Sequence, residues 1–536
     1  MRAHRSLFVY TALVFVAAFA WFSFRASHAM LASGFVDPVA RYGAQDEATY
    51  SRIALETMAR GNWLVPTFLD RIAFFKPPLL FWLDGIGMRL FGASVYVLRL
   101  PALLSGAAVC AVAFYWVARE RGRSAALLAV ALIATGTYWI MLASLNMMDA
   151  PLAAFSFLGL YAIARDPALS PRQTLPVAAL VFGAALLLKS VAALPVIAAG
   201  ILCALVRRAQ WRRIAGLIGG IAVISAPWYL YALLSHFQWF WNEHVRTELF
   251  GHNVAGTALG SPLGNLSFYF TRLVRVDPLV AVTGAVSIIF LSVKRDRSAV
   301  LVLLFLSLSG LVMLIFGYHA ATYLLPVVTG LAILTGLAIP RPAAIPVLLI
   351  VLIGNFFVLT RGHYVIWKGS NLPMAPALVS YCELHRPSPL FLIEADDEFY
   401  SAALPLPRVH YGLIAHGRAA VHLAIDFERL GIVTTADEFD NQPRYWPTFR
   451  ARLTTMGLPR DLDPRATEVL FPSVDAIKSF IPRHPEIDFL VPDRLALSTR
   501  EHVASDAGSG FLLLFATQAG AAESTAPRPS SWSCKI

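Results

Sequence analysis

Charge is scarce in this chain. Lys, Arg, Asp and Glu make up 14% of its 536 residues, where a soluble domain carries about 25%. Hydrophobic residues make up 57%, and the mean hydropathy is +0.62. A soluble globular domain is excluded, and a polytopic α-helical membrane protein is implied. Cysteine is sparse too: four residues exclude a disulfide-framed secreted scaffold. Acids are outnumbered by bases, 33 to 44, for a net charge of +11. That excess does not indicate nucleic acid, because the basic residues fall in short clusters between apolar runs, as loop topology requires.

A window of roughly 19 residues finds apolar spans at 7–25, 96–118, 124–143, 149–165, 174–188, 190–206, 212–235, 278–293, 298–317, 320–339 and 343–361, about eleven in all. The spans 174–188 and 190–206 are short and touch at Lys189 and Ser190, which predicts a tight hairpin near one membrane face. With the N-terminus (Arg2, Arg5) inside, the inner segments become 119–123, 165–172, 207–213, 294–297 and Arg341. All are basic and nearly free of acids, as the positive-inside rule asks. The outer face then receives Asp46, Glu47, Lys76, Asp149, Lys189, residues 236–277, Tyr318, His319, Tyr323 and everything after about 362. The first apolar segment is read as a retained span; at 18 or more apolar residues it is long for a signal peptide.

The first outer loop, about 26–95, has its own helices. Tyr50, Ile53, Ala54, Thr57 and Met58 share one helical face, with Ser51, Arg52, Glu56 and Arg60 on the other, the pattern of a helix lying on a membrane surface. A second helix starts after Lys76-Pro77-Pro78, since prolines suit a helix start. Gly61-Asn62-Trp63 and Pro66 read as a turn between them. A solvated loop anchored by aromatics is the bland alternative.

The order DE at 46–47, GNWLVPTFLD at 61–70, FKPPLLFWL at 75–83, LRLPALLSG at 98–106 and NMMDAPLAAF at 146–155 resembles the aminoarabinose transferase and protein O-mannosyltransferase superfamily of GT-C glycosyltransferases. LLLKSVAALPV, APWYLY and ATYLLPVVTGLAIL extend the resemblance over about 40–340. It implies a membrane enzyme that takes a sugar from a polyprenyl-phosphate carrier and transfers it with inversion on the non-cytoplasmic face. It also implies site residues. Asp46 holds the position of the catalytic acid, Glu47 completes the acidic pair, and Asp149 matches a second acid. Lys76 and Tyr323 match donor-phosphate contacts, and Arg246 in WNEHVR is a further phosphate candidate. Lys189, His244 and His319 are additional candidates.

Each residue also has a structural reading. Asp46 suits a helix N-cap, Lys76 could snorkel to headgroups, Asp149 could cap the span that follows, and Lys189 could close helix carbonyls. Two departures separate the chain from the aminoarabinose branch. Phe75 stands where that branch commonly has an acid before the lysine, and Thr49 where it has an arginine. Closely spaced His pairs are absent, so no zinc site is expected and no cofactor is required; a weakly bound divalent cation near Asp46 and Asp149 stays open.

Beyond about 362 the sequence gains charge, proline and histidine. PLFLIEA, HYGLIA, LGIVTT, IDFLVP and GFLLLFATQ read as strands and VDAIKSFIPRH as a helix, a small periplasmic α/β domain over 362–536 with a flexible tail. Cys110 and Cys203 fall in spans, whereas Cys382 and Cys534 bracket the outer domain and either pair or stay free.

The expected function is a glycosyltransferase of the bacterial inner membrane that modifies lipid A or a related glycolipid or glycan. Its partners would be a polyprenyl-phosphate-linked sugar, the acceptor and membrane lipids, with no nucleic acid. A protein O-mannosyltransferase-like enzyme, a lipid-sugar flippase or transporter, and a non-catalytic assembly protein are the alternatives. A transporter should place its polar residues near the bilayer midplane.

Overall fold

The computed structural model describes residues 2–27, most of 47–92, 95–251, 262–315 and 321–361, together with 390–393, 409–414, 468–471, most of 479–492, 502–508 and 511–516. Every apolar run becomes helical. In chain order these helices are α1 (Arg2–Ser27), α2 (Leu79–Phe91), α3 (Val95–Arg121), α4 (Arg123–Ala134), α5 (Thr137–Leu142), α6 (Asp149–Arg165), α7 (Thr174–Lys189), α8 (Leu194–Val206), α9 (Trp211–Ser235), α10 (Pro262–Val276), α11 (Pro278–Val293), α12 (Val300–Ile315), α13 (Leu324–Ala338) and α14 (Arg341–Arg361).

Of the about eleven expected spans, the structure supports six or seven as candidate spans. Among the described residues, six helical runs are long and apolar enough to cross a membrane by length and composition alone: Ser6–Phe24, Tyr96–Arg121, Thr174–Val206 (whose reversal is described below), Trp211–Ser235, Ala321–Ala338 and Arg341–Leu359. A seventh arises if α10 and α11, bent by 117°, count as one. The predicted span 124–143 breaks at Thr135-Gly136 because Asp277 captures the next helix start. Its carboxylate accepts the backbone N–H of Thr137 at 2.6 Å and of Tyr138 at 3.2 Å.

The run Thr174–Val206 reverses direction at Ser190, whose φ is +40°. A Cβ on Gly200 in α8 would lie 3.1 Å from the Phe182 ring in α7, which only antiparallel legs allow. This is the predicted hairpin. Its legs of 16 and 13 residues reach about 24 and 20 Å, short of a hydrocarbon core of about 30 Å.

The five basic segments assigned to one side meet at one end of the bundle. Arg121 pairs with Asp296 and donates to Leu337 O at 2.8 Å, while Arg341 donates to Arg121 O at 2.8 Å. Arg207 reaches Arg297 O and Arg213 reaches Ala168 O, each at 2.9 Å. Unsatisfied helix-end carbonyls and guanidinium groups suit each other at this pole. Glu47, Asp149, Lys189, Glu243 and His244 lie away from this pole, in the contacts described below.

In the first outer loop, β1 (Thr67–Phe68) and β2 (Arg71–Ile72) pair antiparallel. In the C-terminal part, β3 (Leu390–Ile393), β4 (Val409–Ile414), β5 (Glu468–Phe471), β6 (Asp488–Pro492), β7 (His502–Gly508) and β8 (Phe511–Ala516) form one mixed sheet in the order β5-β4-β3-β6-β8-β7. β3, β4, β5 and β6 pair in parallel, and β6-β8-β7 are antiparallel. Four strands match predicted ones; β5 and β7 were not anticipated, because EVLF is very short and HVASDAG is polar. The predicted strand LGIVTT, together with Cys382, Cys534 and the tail, lies outside the described residues.

Candidate active site at the acidic pole

Three linked clusters build the site, and the first is centred on Glu47. Its side chain and that of Arg99 are both 0% exposed. Glu47 Oε1 accepts Arg99 Nε at 2.7 Å and the Asn146 backbone N–H at 2.8 Å, while Oε2 accepts Arg99 Nη2 at 3.0 Å. This forked, charge-assisted geometry is the strong form of an ion pair. Asn146 Nδ2 donates to Asp84 Oδ2 at 2.9 Å and to Ser51 Oγ at 3.2 Å. The loop before Asp149 is thereby tied to the first-loop helix, to α2 and to α3.

Ser51 corrects one expectation. It was assigned to the polar face of its helix, yet it is buried together with Tyr50, Ile53, Ala54 and Thr57. The helix packs into protein on more than one side because Asn146 supplies its hydroxyl with a partner. Asp84, in the loop helix α2 outside the spanning runs, is also fully buried. Burial raises its pKa well above the ordinary carboxylate value; the Asn146 hydrogen bond opposes the shift and the Glu47 charge adds to it. The surroundings of Asp84 thus favour its neutral form over its charged one.

The second cluster joins three predicted residues. Asp149 opens α6 and accepts Lys189 Nζ at 2.7 Å on Oδ1. Its Oδ2 is buried with no hydrogen-bond partner among the described residues. The same ammonium lies 4.8 Å from the centre of the Tyr323 ring, within cation–π range.

The third cluster holds the FKPP loop. Phe74 is fully buried among Trp228, His236 and Phe240, with ring centres 5.9, 5.5 and 6.2 Å away. Its N–H donates to Glu243 Oε2 at 2.5 Å, and its carbonyl faces His244 Nδ1 at 3.1 Å. A nitrogen facing a carbonyl carries the proton, so in the neutral ring Nε2 accepts from Ser190 Oγ, 2.9 Å away. Ser190 Oγ also lies 2.9 Å from Tyr229 Oη, which donates to Leu186 O at 2.9 Å. Glu243 and His244 sit on an unexpected π-helix, Trp241–Gly251, a form concentrated at functional sites.

The turn before this loop is fixed by indoles. Trp82 Nε1 donates to Trp63 O at 2.5 Å and Trp228 Nε1 to Leu64 O at 3.0 Å. Lys76 is half-buried at a bend between Phe74 and α2, and Arg246 is exposed on the π-helix. Asp46 and His319 lie outside the described residues. Among the described residues no group of three or more His, Cys, Asp or Glu is close enough to hold a metal ion. Arg99, Asp84, Asn146, Ser190 and Tyr229 were not singled out from sequence for this site. Two of them carried a signal: Arg99 and Asp84 are lone charges within apolar stretches.

Residues 75–233 match the family described as dolichyl-phosphate-mannose-protein mannosyltransferase. An undecaprenyl phosphate-alpha-4-amino-4-deoxy-L-arabinose arabinosyl transferase of Erwinia tasmaniensis is 37% identical over 92 residues, 17% of this chain and 16% of the relative. The namesake of an Enterobacter species is 27% identical over 219 residues, 38% of this chain and 39% of the relative. The match thus spans well under half of either curated relative. The crystal structure of ArnT from Cupriavidus metallidurans bound to undecaprenyl phosphate superposes with a TM-score of 0.62 at 17% identity, covering 94% of this chain and 97% of that one. Its apo state gives 0.61 at 18% identity, covering 96% and 98%. At this identity the likeness establishes the fold, and it runs nearly the full length of both chains.

Proposed function

We propose, from the premise that this chain is a GT-C glycosyltransferase of the aminoarabinose transferase and protein O-mannosyltransferase superfamily, that it moves a sugar from a polyprenyl-phosphate carrier to an envelope acceptor. The acceptor class is lipid A or a related glycolipid or glycan, reached on the periplasmic face of a bacterial inner membrane. One observation carries the reading: residues from separate ordered motifs converge on one pole, with Asp149, Lys189 and Tyr323 in direct contact. The curated relatives' names, which specify an undecaprenyl-phosphate sugar, support the donor class.

The chemistry fits these residue types. The acceptor oxygen attacks the anomeric carbon as the carbon–oxygen bond to phosphate breaks, and the bonding pair leaves on the phosphate. Donors at Lys76, Arg246 and Tyr323 stabilise that added charge more in the transition state than in the ground state. Asp46, with Glu47 and Asp149 as the accompanying acids, takes the proton when the acceptor is a hydroxyl. A phosphate acceptor has no such proton to lose, and Asp46 then orients it.

The test compares envelope glycolipids and glycoproteins by mass spectrometry in cells expressing the parent chain or Asp46→Asn at equal levels. A sugar-sized mass lost only in the variant, on a glycolipid or glycan, supports the proposal and identifies sugar and acceptor together. The same loss on protein would move the assignment to O-glycosylation. An unchanged envelope would remove Asp46 from the mechanism and favour transport or assembly.

A further inference from the structure

We propose that Glu243 and His244 are positioning residues that set where Lys76 is presented to the donor phosphate. The inference rests on the reading of Lys76 as a donor-phosphate ligand. Together they take both backbone groups of Phe74, two residues before the lysine. A carboxylate accepting an N–H at 2.5 Å and an imidazole donating to the carbonyl of the same residue anchor the two peptide groups that flank the Phe74 Cα. The aromatic seat around Phe74 removes the alternative of sliding.

The other flank of Lys76 is equally fixed. Pro77 and Pro78 are buried and lock their own φ angles, and Trp82 N–H bonds Pro78 O at 3.0 Å as α2 begins. Lys76 thus lies between a clamped residue two positions before it and two ring-locked prolines after it. His244 adds a second constraint. Through Ser190 Oγ it ties the same loop to the α7–α8 reversal, one residue after Lys189. One imidazole thus couples the two loops that carry the site's lysines. Placing an acid and a histidine in aromatic packing carries a desolvation cost, and fixing this geometry is what their bonds accomplish.

The test is a double-mutant cycle on undecaprenyl phosphate binding to the full-length protein in lipid nanodiscs. His244→Phe keeps the ring that stacks on Phe240 and removes the donor; His244→Asn keeps a donor near the Nδ1 position. His244→Phe is expected to weaken binding about tenfold, the scale of one strong hydrogen bond, with His244→Asn close to the parent. In a Lys76→Ala background the His244→Phe loss is expected to vanish, because there is no ammonium left to misplace. An equal loss in both backgrounds, or His244→Asn as weak as His244→Phe, overturns the proposal. Lys76→Ala binding as tightly as the parent would sink the phosphate role of Lys76, and the proposal with it. Should His244→Phe not be recovered folded, Glu243→Leu against Glu243→Gln makes the same comparison, since glutamine still accepts the Phe74 N–H.

Discussion

Lys189 Nζ lies 2.7 Å from Asp149 Oδ1, with Asp149 3% and Lys189 11% exposed, and the same ammonium sits against the face of Tyr323. The start of α6, the α7–α8 reversal and the start of α13 thus meet at one charge. A contact so enclosed is poorly screened by solvent. A donor phosphate entering here would compete with Asp149 for the lysine.

Breaking that pair from the lysine side should be worse than removing both charges. Lys189→Met leaves a buried carboxylate uncompensated, and a loss of about 3–5 kcal/mol is expected. The double variant Lys189→Met/Asp149→Leu should recover much of it. Thermal unfolding of the purified variants in detergent checks this; strictly additive losses would show that the contact carries no coupling.

The Glu47–Arg99 pair makes a sharper demand. Both side chains are wholly buried, and the guanidinium uses two nitrogens on the two carboxylate oxygens. Lysine cannot reproduce that fork. Arg99→Lys should therefore destabilise by about 2–3 kcal/mol and Arg99→Met by about 3–5 kcal/mol. Activity should fall beyond what the folded fraction explains, because Glu47 also holds the Asn146 N–H ahead of Asp149. Retained activity and melting temperature in Arg99→Lys would show that the fork is dispensable.

Two helical glycines should respond with opposite signs. Alanine normally improves a helix interior by up to about 1 kcal/mol, and Gly219, with nothing within 4 Å of an added Cβ, should show that gain. At Gly159 the Cβ would stand 2.3 Å from Phe182 Cε1, and Phe182 is fully buried with no room to yield. Gly159→Ala should cost about 1–3 kcal/mol as overpacking. Equal melting temperatures for the two variants would mean that the α6–α7 contact is looser than it stands here.

Much of this architecture was legible because membrane topology is written in one dimension. Apolar runs and intervening Arg clusters located the helices, and the inner-side assignment of the segment around Arg121 and that around Asp296 is matched by their contact. Asp149, Lys189 and Tyr323 were legible as candidates from the family motifs, though no local pattern brings residues so far apart together. Pairings that depend on three-dimensional packing were not legible. Arg99 sits in LRLPALLSG and Asp84 in LLFWLDGIGMRLF as interruptions, and only the fold shows Glu47 and Asn146 waiting for them. The break at Gly136 was hidden for the same reason, since the acid that causes it, Asp277, comes from a distant loop.

Asp84 offers a prediction with a definite sign. Burial, aided by the nearby Glu47 charge, holds its pKa well above the ordinary value, and the Asn146 bond offsets only part of this. In the unfolded chain the same carboxyl ionises near pH 3.9. Between that value and the raised one, the native state binds the extra proton. Stability therefore falls as pH rises through this window and is greatest at its acid end. Asp84→Asn keeps an oxygen to accept from Asn146 and has no proton to lose, so it should flatten this part of the pH–stability curve and melt at or above the parent at neutral pH. Melting scans from pH 5 to 8 make the comparison. An Asp84→Asn variant that melts well below the parent at pH 8 would mean that the native carboxyl is ionised, and that this network is held by charge and not by a shared proton.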